Sequence, residues 1–422
     1  MRLTIGNHRW SGKDLLKKLA EWPEEAVVWV KAKLHTGAYE KALLDTSFSL
    51  EVPSSAVEAL GQRLKALPNP AKKPGPAYAG LEDRLLIDRI RGESQGWNRN
   101  NVTRTEAYGR MYARHPELHW ALLAHMVSRN GGWSMTDLQG ELLPYLLSEE
   151  QRRNVFAFLE RANALIFRDA YAQLLLYEES LRQRRPLFHL LPLLGVSRFM
   201  CGVWEQFWED RRSVPLTIGL IVNEQHYIED RVVRHPLYRR TVLDTLFFHT
   251  QSLLQLNHVV FPYREGRLIR LAGVTVEDFS SKKERIEVGK KLYGILFGLP
   301  AVHQGVLRFV SGSRHTGSRA DFWPHLFAPK RQGPRIPRGE LKERLDGCRL
   351  RPGALPLYSP SLQSAWSDRP IAPSEPGDWF RTEEVLAYFR TVEPPSSFEM
   401  TQAYGTGLGR IELAVLAGDL LE

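Results

Sequence analysis

Cysteine is nearly absent: Cys201 and Cys348 are the only two in 422 residues. That excludes a disulfide-framed secreted scaffold, and with no CxxC around either, both read as ordinary thiols. Long apolar runs are missing too. The most apolar stretch, Leu187 to Trp204, is interrupted by His189, Pro192 and Arg198, and a spanning helix needs roughly 20 unbroken apolar residues. Met1 to His8 carries charge but no apolar core of signal-peptide length. These absences predict a cytoplasmic protein with no transmembrane segment. No self-similarity appears at a period of about 20–50 residues, which excludes a solenoid.

What is present looks globular. Hydrophobic residues at 43% and charged residues at 25% exclude disorder, collagen and coiled coil for the bulk of the chain. The length suggests two or three domains. The net charge is +9 and unevenly spread: Val302 to Arg351 holds eleven Lys and Arg against four Asp and Glu, a local +7. Such an excess could attract a phosphate-bearing ligand, nucleic acid or an anionic surface. The competing reading is a solvated basic loop.

The patterning predicts a mainly α protein in four parts. Residues 1–70 read as a small α+β unit. Within it, Ser11 caps a short helix, Ala26–Lys33 and Ser47–Val52 could pair as a hairpin, and Ser55 to Glu58 has capping-box spacing before a helix to about Leu67. Residues 71–80 are a linker, inside a stretch from Pro68 to Gly80 with four prolines that can continue neither helix nor central strand.

Residues 81–300 form a bundle-like helical core, in which Ser148 to Gln151 is a capping box for a helix running to about Arg184. Further helices are marked by Val242 to Leu254, and by Ser281 capping the face of Val288, Leu292 and Ile295. Residues 301–422 read as a basic, proline-rich arm with a late helix starting at Thr382.

Polar and glycine residues concentrate in four segments: Trp97 to Thr105, His115 to Leu138, Ile221 to Val232 and Ser311 to Pro324. Taken together and in this order, they resemble the YppC-like family of spore-forming Gram-positive bacteria, a family of unknown function. The resemblance covers roughly Leu81 to the early part of the proline-rich arm. It implies a bacterial cytoplasmic protein and brings no activity, cofactor or catalytic residue with it.

The sites must therefore be weighed on chemistry. His115 and His119 are four apart, but Pro116 makes His115 a cap or turn residue, and neither an H-E-x-x-H nor a Glu-x-x-His pair is present, so no metal is expected. No cofactor is expected either. Gly405 to Gly409 has the wrong spacing for a dinucleotide fingerprint. Glu224 and His226 follow an apolar run and are weak candidates for an acid–base pair, against a structural salt-bridge network with Glu229, Asp230 and Arg231.

Ser313, Arg314, His315 and Arg319 sit among hydroxyls and glycines, the residue types that wrap an oxyanion, although no Walker A lysine is present. Arg129-Asn130-Gly131-Gly132 reads as a helix C-terminus, after which Ser134 or Thr136 starts the next helix. Arg104, Arg129 and Asn130 together are a candidate cleft.

Two functions compete. One is a non-enzymatic binding or scaffold protein with a basic anion-binding region, its partner a phosphate-bearing ligand, a nucleic acid or a protein the sequence does not name. The alternative is an enzyme acting on a phosphate-containing substrate. The lack of a recognisable catalytic motif favours the first.

Overall fold

The computed structural model describes residues 36–67, 80–244, 257–337, 340–373 and 375–417. The predicted helix after Ser11, the strand 26–33 and most of the proline-rich linker lie outside the described residues. The architecture is mainly α. Its principal helices are α1 (Ser54–Ala66), α2 (Leu81–Trp97), α3 (Asn101–Arg114), α4 (His119–Asp137), α5 (Glu149–Gln183), α6 (Phe199–Asp210) and α7 (Ser213–Ile228). A hairpin, β1 (His258–Glu265) and β2 (Leu268–Thr275), precedes α8 (Lys282–Gly298), α9 (Pro300–Gly312) and α10 (Thr401–Ala417).

Local chemistry sets the clearest boundaries. The Ser148 side chain accepts from the Gln151 amide while the Gln151 side chain accepts from the Ser148 amide, so α5 starts where the capping box places it. It ends at Arg184, in the left-handed conformation at φ 55°. Ser281 caps α8 by accepting from the Glu284 amide. α5 runs through the middle of the body, and Phe167, Leu174 and Leu176 on it are fully buried beside Trp120 and Trp204.

Several expectations need correction. Pro53, not Ser55, is the N-cap of α1, and no side chain caps it. Its fixed φ of −62° starts the helix early and leaves Ser55 inside the first turn. Ser47–Val52 forms no regular strand but a single antiparallel bridge, Leu50 to Val392. Val242 and Leu243 sit in a π-helical turn, Arg239–Leu243, and 245–254 lie outside the described residues.

The hairpin was not anticipated within the helical region. Its strands each bury four consecutive residues, so they lack the polar–apolar alternation that announces a half-buried strand. The consecutive burial means that both faces are covered, Gly305 of α9 lying against Tyr263, and residues 398–400 pair along the outer edge of β2. Regular helix also continues beyond residue 300 through α9. The late helix after Thr382 is a short 3-10 segment, Glu383–Tyr388, while Gly405 to Gly409 lie inside α10.

Candidate functional site

Asn100 caps α3 in a reciprocal box with Thr103, which turns Asn101 inward on the first turn. There the Asn101 amide donates to the carbonyl oxygen of Ser128 at 2.8 Å and to its Oγ at 3.1 Å. A carbonyl only accepts, so the amide nitrogen must face Ser128 and Oδ1 must face His315 Nε2, 2.9 Å away. His315 therefore carries its proton on Nε2. Burial lowers its pKa, opposed by Asp321, whose oxygen lies 3.6 Å from Nδ1. Asp321 itself is held below the usual carboxylate range: burial works against that, and His315 and the Thr316 hydroxyl overcome it.

Arg129 belongs to the same buried group. It donates from Nε to His125 Nε2 at 2.9 Å and from a terminal nitrogen to the Ser313 carbonyl at 2.8 Å. His125 in turn gives its Nδ1 proton to the Thr105 carbonyl, and burial pushes its pKa down to about 3. Of the predicted cleft, Arg129 thus meets the 311–319 loop in a packed polar junction, while Arg104 and Asn130 bond elsewhere. Arg319 is spent on Asp137, at 2.7 and 2.5 Å, and lies over the Tyr404 ring. Arg314 is the exposed cation of the loop. Elsewhere in the basic segment Arg331 and Arg344 pair with distant Glu141, and Arg351 with nearby Glu343, so part of the local charge is answered within the fold.

The reading of Arg129 to Gly132 as a helix end is wrong. α4 runs unbroken from His119 to Asp137, and Ser134 and Thr136 lie within it rather than starting a new helix. Gly132 is there for proximity: a Cβ on it would lie 2.6 Å from His315 Nε2.

Asn130 points away from Arg129 and fastens the hairpin, donating to the His258 carbonyl and accepting from the Val260 amide. Arg104 is fully buried, bonded to Asn98 at 3.1 Å and Glu160 at 2.5 Å. Glu224, Arg104 and Asn130 line one recess among the described residues. His226 faces elsewhere: it stacks on Trp379 at 4.1 Å with Lys282 Nζ at 3.3 Å, and burial lowers its pKa to about 4. Glu224 and His226 are not a pair. Glu229 makes the salt-bridge network, with Arg285 and Arg234.

Burial raises the Glu224 carboxyl from 4.5 to about 7, against hydrogen bonds from Gln225 and Trp120. Between those values the folded chain holds a proton the unfolded chain has released. The stability from this group is therefore complete below about pH 4.5 and lost as pH rises through about 7. Glu224→Gln is expected to gain on the parent protein as pH rises from about 5 to about 8, read as urea midpoints. Parallel pH profiles would refute the assignment.

One further site had no signal in the sequence. A cleft of about 380 Å³ lies between α5, residues 231–238 and the arm at 369–373 and Glu375. Arg161, Arg231, Arg369 and His235 all line it. Arg161 donates to the carbonyls of Ala372 and Pro373, and Arg231 to those of Tyr227, Glu375 and Gly377. Arg369 lies 5.3 Å from the centre of the Phe156 ring, which stacks on Trp366. Among the described residues, none of the three arginines has a carboxylate within 4.0 Å. Glu160 and Glu375 also line the cleft; Glu160 pairs with Arg104 through Oε2, and its buried Oε1 has no hydrogen-bond partner among the described residues. The three cations come from positions 161, 231 and 369, too distant in sequence for any local pattern to join them.

No group of three His, Cys, Asp or Glu side chains suited to a metal occurs among the described residues, and no helix there is long and apolar enough to cross a membrane. The buried polar junction and the arginine cleft fall within residues 97–405, and over that span the chain belongs to the family described as protein of unknown function DUF2515. It is 38% identical over 323 residues to "Uncharacterized protein YppC" of Bacillus subtilis (strain 168), covering 76% of this chain and 91% of that relative. No solved structure matches the chain.

Proposed function

We propose that this is a non-enzymatic, cytoplasmic binding protein whose ligand presents a phosphate or comparable anion to the arginine cleft. One observation carries the reading: Arg161, Arg231 and Arg369 share a recess without a carboxylate partner among the described residues. Like charges gathered in a partly dry cleft repel, and an anion is the simplest way to offset that. Guanidinium forks suit phosphate because they donate two parallel bonds. The carboxyl of Asp169 lies near enough for Arg231 to act on it, yet burial holds it up at about 7, so it is a weak counter-charge at neutral pH.

The 311–319 loop is the poorer candidate, since the charge of Arg319 is met by the Asp137 carboxylate, whereas Arg161 and Arg231 bond to neutral carbonyls. A nucleic acid would suit an exposed ridge of cations better than a recess. Both cysteines are free, which supports an intracellular setting.

The test is melting temperature in the presence of inorganic phosphate, at fixed ionic strength. The parent protein should melt higher as phosphate rises, because a ligand that binds only the folded state stabilises it. Arg369→Ala should abolish the rise without disturbing the arm, as its guanidinium holds none of the arm's carbonyls. A flat response in the parent protein would sink the reading.

A further inference from the structure

We infer that the ligand of the cleft is an organic phosphate whose body is apolar and ring-bearing; this rests on the anion reading above. The first argument is size. At about 380 Å³ the cleft is far roomier than one phosphate requires and lies in the range of sites for small organic molecules, roughly 300–1,000 Å³.

The second is where charge sits. Arg161, Arg369 and Tyr238 all line the cleft, and Arg369, unlike Arg161, has its guanidinium on no carbonyl of the arm. The phosphate belongs at Arg369, with the Tyr238 phenol as an added donor. Elsewhere apolar side chains share the wall with Arg231, His235, Glu160 and Glu375. Ala157 and Ala164, seven residues apart on α5, share a face and are small, which leaves a shallow floor. Leu237 and Ile371 stand at the sides.

The third is what the arm withholds. Pro370 and Pro373 have no N–H to offer. The carbonyls of Ala372 and Pro373 are taken by Arg161, and that of Glu375 by Arg231. A polyol body would lose its bonds to water on entering and find few replacements along the arm, which disfavours it. A flat apolar body loses nothing of the kind and gains from leaving water.

The experiment is calorimetric titration of the full chain with inorganic phosphate, glycerol phosphate and phenyl phosphate. Phenyl phosphate should bind about tenfold more tightly than inorganic phosphate, the gain expected from burying one ring face. Glycerol phosphate should show no such gain. Leu237→Ala should weaken phenyl phosphate and leave inorganic phosphate unchanged, while Arg369→Ala should weaken both. Leu237 is half exposed, so its truncation leaves the core intact.

Equal affinity for all three compounds, or tightest binding of glycerol phosphate, overturns the apolar body and leaves the anion site standing. Binding of none of them overturns the anion reading itself, and this inference with it.

Discussion

Arg104→Ala is expected to cost about 3–5 kcal/mol, among the largest losses any single substitution in this chain can produce. The side chain is 1% exposed and its partner Glu160 is 7% exposed. The pair lies between α3 and α5, with one guanidinium nitrogen on Glu160 and another on the Asn98 side chain. Truncation strands a buried carboxylate with no counter-ion and opens a void at the crossing of two helices. The desolvation of Glu160, not the attraction it loses, sets the size of the effect. The double substitution Arg104→Met with Glu160→Leu should recover most of the loss, because it removes both charges and keeps the volume. Urea midpoints followed by circular dichroism decide the matter; a midpoint for Arg104→Ala close to the parent's would show that the pair is solvated in solution.

Gly132→Ala is expected to cost about 3 kcal/mol, by overpacking. The added methyl has to enter where His315 Nε2 and the Asn101 side chain already stand. Moving either breaks the bond between them and leaves buried polar atoms unsatisfied. Gly131→Ala is the control: its Cβ would meet nothing closer than 3.5 Å, so it should be neutral or gain the helix preference of Ala over Gly, about 0.5–1 kcal/mol. Hydrogen exchange gives a second readout. The Thr316 amide, bonded to Asp321, should lose protection in Gly132→Ala and keep it in Gly131→Ala. If the two variants behave alike, the close approach at Gly132 has been misread.

The same glycine pair shows what sequence could and could not reveal. Gly131-Gly132 after Arg129 carries the local grammar of a helix end, and nothing nearby says otherwise. What keeps the helix going is a histidine 183 positions later that needs the space. Two caps were legible because both halves lie within four residues, Ser148 with Gln151 and Ser281 with Glu284, whereas Ser55 with Glu58 had the same spacing and lost the cap to Pro53. The hairpin was missed because covering both faces of a strand erases its alternation. The basic arm was legible as charge, but the partners of that charge were not: Glu141 and Asp137 lie almost 200 residues before the arginines they neutralise. Arg104, Arg129 and Asn130 were recognisable as unusual polar residues in an apolar body. That Arg129 would join His315, and Asn130 the hairpin, depends on tertiary folding alone. The arginine cleft belongs to this second kind.

The stretch from Val392 to Met400 completes two earlier parts of the molecule, bridging to Leu50 and pairing along β2 through Gly273 and Leu271. During synthesis, then, β2 leaves the ribosome with its outer hydrogen-bonding row bare, and more than a hundred further residues must be made before its partner arrives. For that interval the nascent chain carries an open edge of the kind that recruits other strands. A chain ending before residue 398 would make that exposure permanent, so loss of a short C-terminal stretch would leave it prone to self-association.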